Sequence, residues 1–358
     1  MSGILALQND VAEKVAKALA LKLLPAEQAR LAKARPVNPE AYDAYLKGLQ
    51  HSYKLGPADL DTALQYFDLA LKKDPGYALA YAGISFVWTC RQQMGYTPPK
   101  EAAPKAKSAA QKSLALDDTV AEAHYALANI MAWGDWDWTG AEMEFKRAIE
   151  INPNFPDARI YYSHLLSITG RPDDAMAEVK RVLEVDPYNS LFQSLAAADF
   201  LLVHRYDDAI AQARNAQRTN ADDPVAHNIL QVCFFMKGMY EEAFAEWKAM
   251  WNIPLYGNRD IAEALDRGYA EGGFTGAMRH AAEAWAKVVY ERGEPWYLAL
   301  AYVMAGDKER AFEWLEKGFE LHDANMAYLG FPGFDGLRSD PRFQDLLRRV
   351  GLALDEKK

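Results

Sequence analysis

One spacing returns along this chain and restricts what it can fold into. A small residue is followed at +4 by an aromatic or branched residue, at +3 by another small or branched one, and at +5 by proline. Ala63, Phe67, Ala70 and Pro75 form one set; Ala141, Phe145, Ala148 and Pro153 a second; Ala175, Val179, Val182 and Pro187 a third. Shorter forms follow at Ala209, Ala213 and Ala216, at Ala243, Trp247 and Met250, and at Ala311, Leu315 and Gly318. Each set is preceded by another apolar, helix-length stretch that ends near a glycine or polar turn, as in "ARIYYSHLLSITGRPDDA". Small residues at helical spacing let two helices approach closely, and the large residue between them fills the groove so formed. Proline just beyond the second helix stops it. Prolines 153 and 187 lie 34 residues apart, and a period of about 34 is the signature of stacked helix pairs.

Composition narrows the function classes. Half of the 358 residues are hydrophobic and 12% aromatic, far from a disordered chain. The net charge of −10 and the absence of a Lys/Arg cluster argue against nucleic acid as the main partner. Cys90 and Cys233 each sit in an apolar stretch and read as buried thiols. No run of about 18 apolar residues suggests a membrane-spanning helix. Asp10, Glu13, Lys14 and Lys17 interrupt the first 24 residues, which do not read as a signal peptide. The expected location is the cytoplasm, with the periplasm left open should the chain be a piece of a longer one.

Over residues 38–321 the chain resembles tetratricopeptide-repeat proteins. The resemblance puts the small position of the first helix at Gly48, Gly83, Ala128, Ser163, Ala197 and Ala299. It puts the small position opening the second helix at Ala63, Ala106, Ala141, Ala175, Ala209, Ala243 and Ala311, and the closing proline at Pro75, Pro153, Pro187 and, shifted, Pro224. Repeat two departs through an extended middle, "RQQMGYTPPKEAAP", and Asp118 in place of the proline; residues 257–293 keep only a helix pair turning at Gly272 and Gly273. The resemblance implies an all-α, right-handed solenoid of about eight helix pairs. Residues 1–37 hold an amphipathic stretch with Leu7, Val11, Val15, Ala18 and Leu21 on one stripe, and residues 322–358 loops and a last helix. Both flanks are expected to act as caps. The flanks also resemble the C-terminal part of bacterial multidomain regulators, where a winged-helix, kinase or cyclase head and a TolB-like region precede such an array.

No catalytic constellation emerges. The histidines at 51, 124, 164, 204, 227, 280 and 322 lack metal-ligand spacing. Ser85 sits mid-helix without the second glycine of a nucleophile elbow, and "GFPGFDG" lacks the strand and GK[ST] of a phosphate cradle. Asp207, Asp208, Asp222 and Asp223 fall at helix starts, where capping explains them. No enzyme, metal or cofactor is expected. The tryptophans of "WDW", Trp136 and Trp138, fall in a repeat one residue longer than 34, counted from Asp118 to Pro153. At least one of them reads as an anchor of an enlarged turn, burial of one ring removing about 150–250 Å² from water, and the alternative is an aromatic clamp at the groove mouth.

Function is therefore sought on the concave face that first helices line. Helical spacing assigns to it Tyr42, Tyr45, Leu49 and Tyr53, then Tyr81, Ile84, Trp88 and Arg91, then Tyr125, Asn129 and Trp133, then Tyr161 and His164. Repeat proteins that grip a chaperone's terminal carboxylate place Lys, Asn and Arg there. Here aromatic residues dominate, which suits an apolar peptide or helix of a protein partner. Alternatives are a sensing module of a larger regulator, a small-molecule groove or an enzyme using it, self-association into a homo-oligomer through an apolar end or the loops near Gly333, and occupation of the groove by residues 4–24.

Overall fold

The computed structural model describes residues 38–253, 257–288 and 295–352. Among the described residues there is no strand, and the helices fall into eight pairs. These are α1 (Pro39–Ser52) with α2 (Pro57–Lys73), α3 (Ala78–Gln93) with α4 (Pro99–Leu116), and α5 (Ala121–Asn129) with α6 (Trp138–Ile151). Next come α7 (Pro156–Ile168) with α8 (Pro172–Val185), α9 (Ser190–Leu202) with α10 (Tyr206–Thr219), and α11 (Pro224–Met236) with α12 (Tyr240–Trp251). The seventh pair is α13 (Arg259–Trp285), broken at Gly272 and Gly273; the eighth is α14 (Pro295–Met304) with α15 (Lys308–Glu320). Two 3₁₀ turns, Ala324–Tyr328 and Pro332–Leu337, lead to α16 (Pro341–Arg349), which packs on α15.

Local chemistry sets the helix ends. Side chains of Asn38, Asp137, Asn189, Asp223, Asn258, Asp307 and Asp340 accept backbone N–H bonds at helix starts. Asp74, Asn152 and Asp186, each preceding a proline, are extended rather than helical, because the proline ring bars the α conformation before it. Asp117 and Asn220 adopt the same conformation with no proline behind them, so the proline reinforces this stop without being required for it.

The small–large–small pattern works through close contact. The Phe67 ring is fully buried between α1 and α3. A Cβ on Gly48 would stand 2.5 Å from its Cε1, and one on Gly83 2.5 Å from its Cζ. The arms of α13 cross where a Cβ on Gly268 would meet the Gly276 carbonyl at 2.3 Å. Gly273, with φ of 61°, makes the turn between them.

Curvature follows from which helices touch. Consecutive first helices pack on one another, α1 on α3, α3 on α5, α7 on α9 and α9 on α11, while no second helix packs comparably on the next. The first helices therefore form the inner wall of an α-solenoid. The wall is interrupted between α5 and α7, whose backbones do not pack closely. There the extra residue of repeat three appears as a π-helical turn, Ile130–Asp135, the form a single insertion takes inside a helix.

Candidate functional site

An aromatic run follows the inner wall. Its ring centroids step from Tyr53 to Phe86 (5.9 Å), Phe86 to Tyr125 (6.5 Å), Tyr125 to Tyr161 (5.7 Å) and Tyr161 to Trp133 (5.7 Å). These side chains bridge the gap between α5 and α7 that the backbone leaves. The run continues through Tyr328, Trp296 and Phe334 into the C-terminal segment.

That segment fills much of the wall. The Tyr328 hydroxyl accepts a 2.9 Å hydrogen bond from Trp133 Nε1, and its ring stands edge-on to His164 at 6.3 Å. Trp136 stacks on His322 at 4.0 Å and on Phe319 at 5.4 Å, and Trp138 Nε1 donates to the Val350 carbonyl at 2.9 Å. His204 Nε2 lies 3.1 Å from Asp335. Trp136, His204 and His322 have φ of 55°, 62° and 56°, a left-handed conformation that costs a non-glycine residue on the order of 1 kcal/mol. All three hold it at this closure. Asp323 ties the segment to α14 by accepting the Trp296 N–H at 2.9 Å. The tryptophans of "WDW" are packed, and their anchors lie at the far end of the chain.

Several residues assigned to the concave face are therefore not free to line it. Trp133 is 3% exposed and His164 1%, both behind Tyr328, and residues 4–24, the other proposed occupant, lie outside the described residues. His164 Nδ1 lies 2.8 Å from Asp199, whose other oxygen accepts from Ser163 Oγ, so a buried polar cluster couples α7 to α9. Tyr45 is core, packed on Phe67 and Tyr77. The face assigned to α3 was turned the wrong way. Trp88 packs against the cluster of Ala106, Ala110, Ala126, Leu127 and Ile130, with Lys105 Nζ 4.0 Å over its ring; Tyr81 faces Lys112; Arg91 reaches back to Asp61 of α2 at 2.6 Å. The contacts with α4 decide this, and spacing along α3 alone does not reveal them.

A small cleft of about 10 Å³ between α3, α5 and α7 is lined by Phe86, Thr89, Cys90, Gln93, Tyr125, Ala126, Asn129 and Tyr161. Of the residues assigned to the concave face, Tyr125, Asn129 and Tyr161 line this cleft. Tyr125 and Asn129 are buried in its floor, and the Asn129 amide donates to the Tyr125 carbonyl. Tyr53, 54% exposed, stands at the edge. Phe86, Cys90 and Gln93 were missed, although their spacing marks one stripe of α3. Burial pushes the Cys90 thiol up to about 12, which leaves it inert. Asp157, in the first turn of α7, is half-buried beside this cleft; burial, then the charges of Glu122 and Asp186, push it up to about 6.

Residues 132–198, from the π-helical turn through α9, match the Tetratricopeptide repeat family. Those residues carry tetratricopeptide repeats. A protein of Rhizobium meliloti (strain 1021) named as an adenylate cyclase is 29% identical to this repeat protein over 136 residues. That stretch is 37% of this chain, which spans about a quarter, 23%, of the relative's length. The human IFIT1 dimer with m7Gppp-AAAA shares the solenoid fold at 14% identity and a TM-score of 0.56, over 87% of this chain and 76% of that one. A tetratricopeptide repeat protein from Parabacteroides merdae ATCC 43184 aligns at 16% identity over 80% of this chain and 99% of its own, with a TM-score of 0.44. Among the described residues, no helix is long and apolar enough to cross a membrane.

Proposed function

We propose that this tetratricopeptide array is a non-catalytic scaffold that takes a segment of a protein partner in the cleft between α3, α5 and α7. The observation that carries the reading is the open end of the aromatic run. Tyr53 stands 54% exposed beside a cleft of aromatic side chains, in an array whose inner wall is otherwise largely occupied by its own C-terminal segment. Aromatic rings add large contact area at low entropy cost, and tyrosine hydroxyls add hydrogen bonds at the rim. The same proposal keeps the array in the cytoplasm and requires no cofactor.

The test is affinity capture from a native lysate with the wild-type chain and a Tyr53→Ala/Phe86→Ala variant whose melting is unchanged. A partner held by the first and lost by the second supports the cleft; identical captures refute it.

A second reading, that the array is the sensing module of a larger signalling protein, is favoured by the match to one stretch of the cyclase relative. An immunoblot of source cells would support it by a band well above 40.1 kDa and contradict it by a band at that mass.

A further inference from the structure

We propose that His124 is a proton-operated latch in repeat three: charged, it ties the turn that enters the repeat to the repeat's second helix, and on losing its proton it lets that turn go. The latch is independent of what the cleft binds.

It is one case of a recurring staple. His124, Arg159, Gln193 and His227 occupy one register position in four successive repeats, 35, 34 and 34 residues apart. Each directs a side-chain nitrogen at the backbone carbonyl six residues earlier, in the turn before its helix. The distances are 3.0 Å from His124 Nε2 to Asp118, 3.0 Å from Arg159 Nε to Pro153, 2.5 Å from Gln193 Nε2 to Pro187 and 3.1 Å from His227 Nε2 to Ala221. Three of the four reach a glutamate of the following helix with a second nitrogen. His124 Nδ1 lies 2.5 Å from Glu144, Arg159 Nη1 2.6 Å from Glu178 and His227 Nδ1 2.6 Å from Glu246.

A carbonyl and a carboxylate only accept. Arginine donates to both through separate N–H groups at any pH, and glutamine serves the carbonyl without charge. A neutral imidazole has a single N–H for two acceptors; imidazolium serves both. The arrangement around His124 therefore calls for the charged ring. Burial opposes that charge, and so does Arg147 of α6, itself paired with Glu150. The bonds to Glu144 and to the Asp118 carbonyl outweigh both and hold the pKa above the ordinary 6.5. At position 227 less hangs on the ring. Arg214 stands 2.7 Å from Glu246 and the Gln217 amide 3.1 Å from the imidazole, so that carboxylate keeps a cation whatever the histidine does.

The folded chain thus binds the His124 proton more tightly than an unfolded one. The stabilisation is complete below about pH 6.5 and is lost as pH rises through the folded midpoint, by about tenfold in the closing equilibrium per unit of separation. What loosens is the start of α5, where the Ala123 and His124 amides bond the Val120 carbonyl.

Long-range 1H–15N spectra of the histidine rings in the full chain, taken from pH 6 to pH 9, test this, with His124 assigned by its loss in His124→Arg. The expected ring carries a proton on both nitrogens at pH 7 and titrates above 6.5, with the midpoint dropping in Glu144→Gln. Hydrogen exchange is the second readout. Protection of the first turn of α5 should fall as pH rises in wild type and stay level in His124→Arg, whose side chain copies repeat four. A neutral ring at pH 7, or a midpoint at or below 6.5, overturns the latch. So does protection that changes equally in wild type and His124→Arg. Should that variant fail to fold, His124→Gln, which copies repeat five, takes its place, and the wild-type titration decides without either.

Discussion

Compare the inner wall at α1 and α3 with the same wall from the π-helical turn onward. Both are built from first helices stacked side by side, and both present aromatic rings. At the first, Tyr53 meets solvent over half its surface. At the second, Trp133 and His164 lie under Tyr328, with Trp296, Phe331 and Phe334 packed behind. The repeat pattern does not determine which stretch is a binding face. That depends on whether another part of the chain arrives to cover it.

The sharpest way to break this comparison is to hollow out the cover. Phe334 is fully buried, so Phe334→Ala should cost about 3–5 kcal/mol in urea unfolding. Tyr53→Ala should stay within about 0.5 kcal/mol, as expected for an exposed side chain. Similar losses at both positions would end the distinction between a sealed and an open wall.

Acid titration separates the two stretches next. Burial, before any other cause, pushes both Asp323 in the cover and Asp157 at the cleft up to about 6, against about 3.9 in an unfolded chain. The folded chain then holds protons that the unfolded chain releases. Stability from these groups is complete below about pH 4, falls as pH rises to about 6, and is flat above. For Asp323 the full excursion is at most about 3 kcal/mol; it is smaller for Asp157, which water reaches. Asp323→Asn should therefore flatten the pH 4–6 slope of melting temperature more than Asp157→Asn. The reverse order would put the dry site at the cleft.

Smaller effects probe the repeat itself. Gly48→Ala places a methyl group 2.5 Å from the Phe67 ring and should cost about 1–3 kcal/mol, despite alanine's better helix propensity. Tyr328→Phe removes the acceptor for Trp133 Nε1 and should cost about 1 kcal/mol by differential scanning calorimetry. No measurable change would mean that shape alone closes the wall.

Much of this architecture was legible because its causes are local. Gly48, Phe67 and Gly83 announce close helix contact by size and spacing, and the glycines at 272 and 273 announce a turn. The extra residue before Pro153 announced an irregularity that became the π-helical turn. What spacing could not supply was rotation about an axis. The face of α3 that meets α4 and the face that meets the interior are both apolar, so Trp88 was assigned inward where Phe86 belongs. Nor could it supply the cover. "ANMAYLGFPGFDG" has no periodicity, and nothing near Trp133 in sequence says that Tyr328 will reach it.

The bonds from Trp133 to Tyr328 and from Trp138 to Val350 join residues 195 and 212 positions apart. An open array of repeats behaves as a line of neighbours, each supported only by the next, and can fray from either end. Joining repeat three to the final segment turns most of that line into a loop. The covered repeats should then unfold in a single cooperative step, with α1 and α2 left outside as the part able to loosen alone. The cost is kinetic: contacts so distant in sequence form late, after a long chain has closed on itself, and folding slows accordingly.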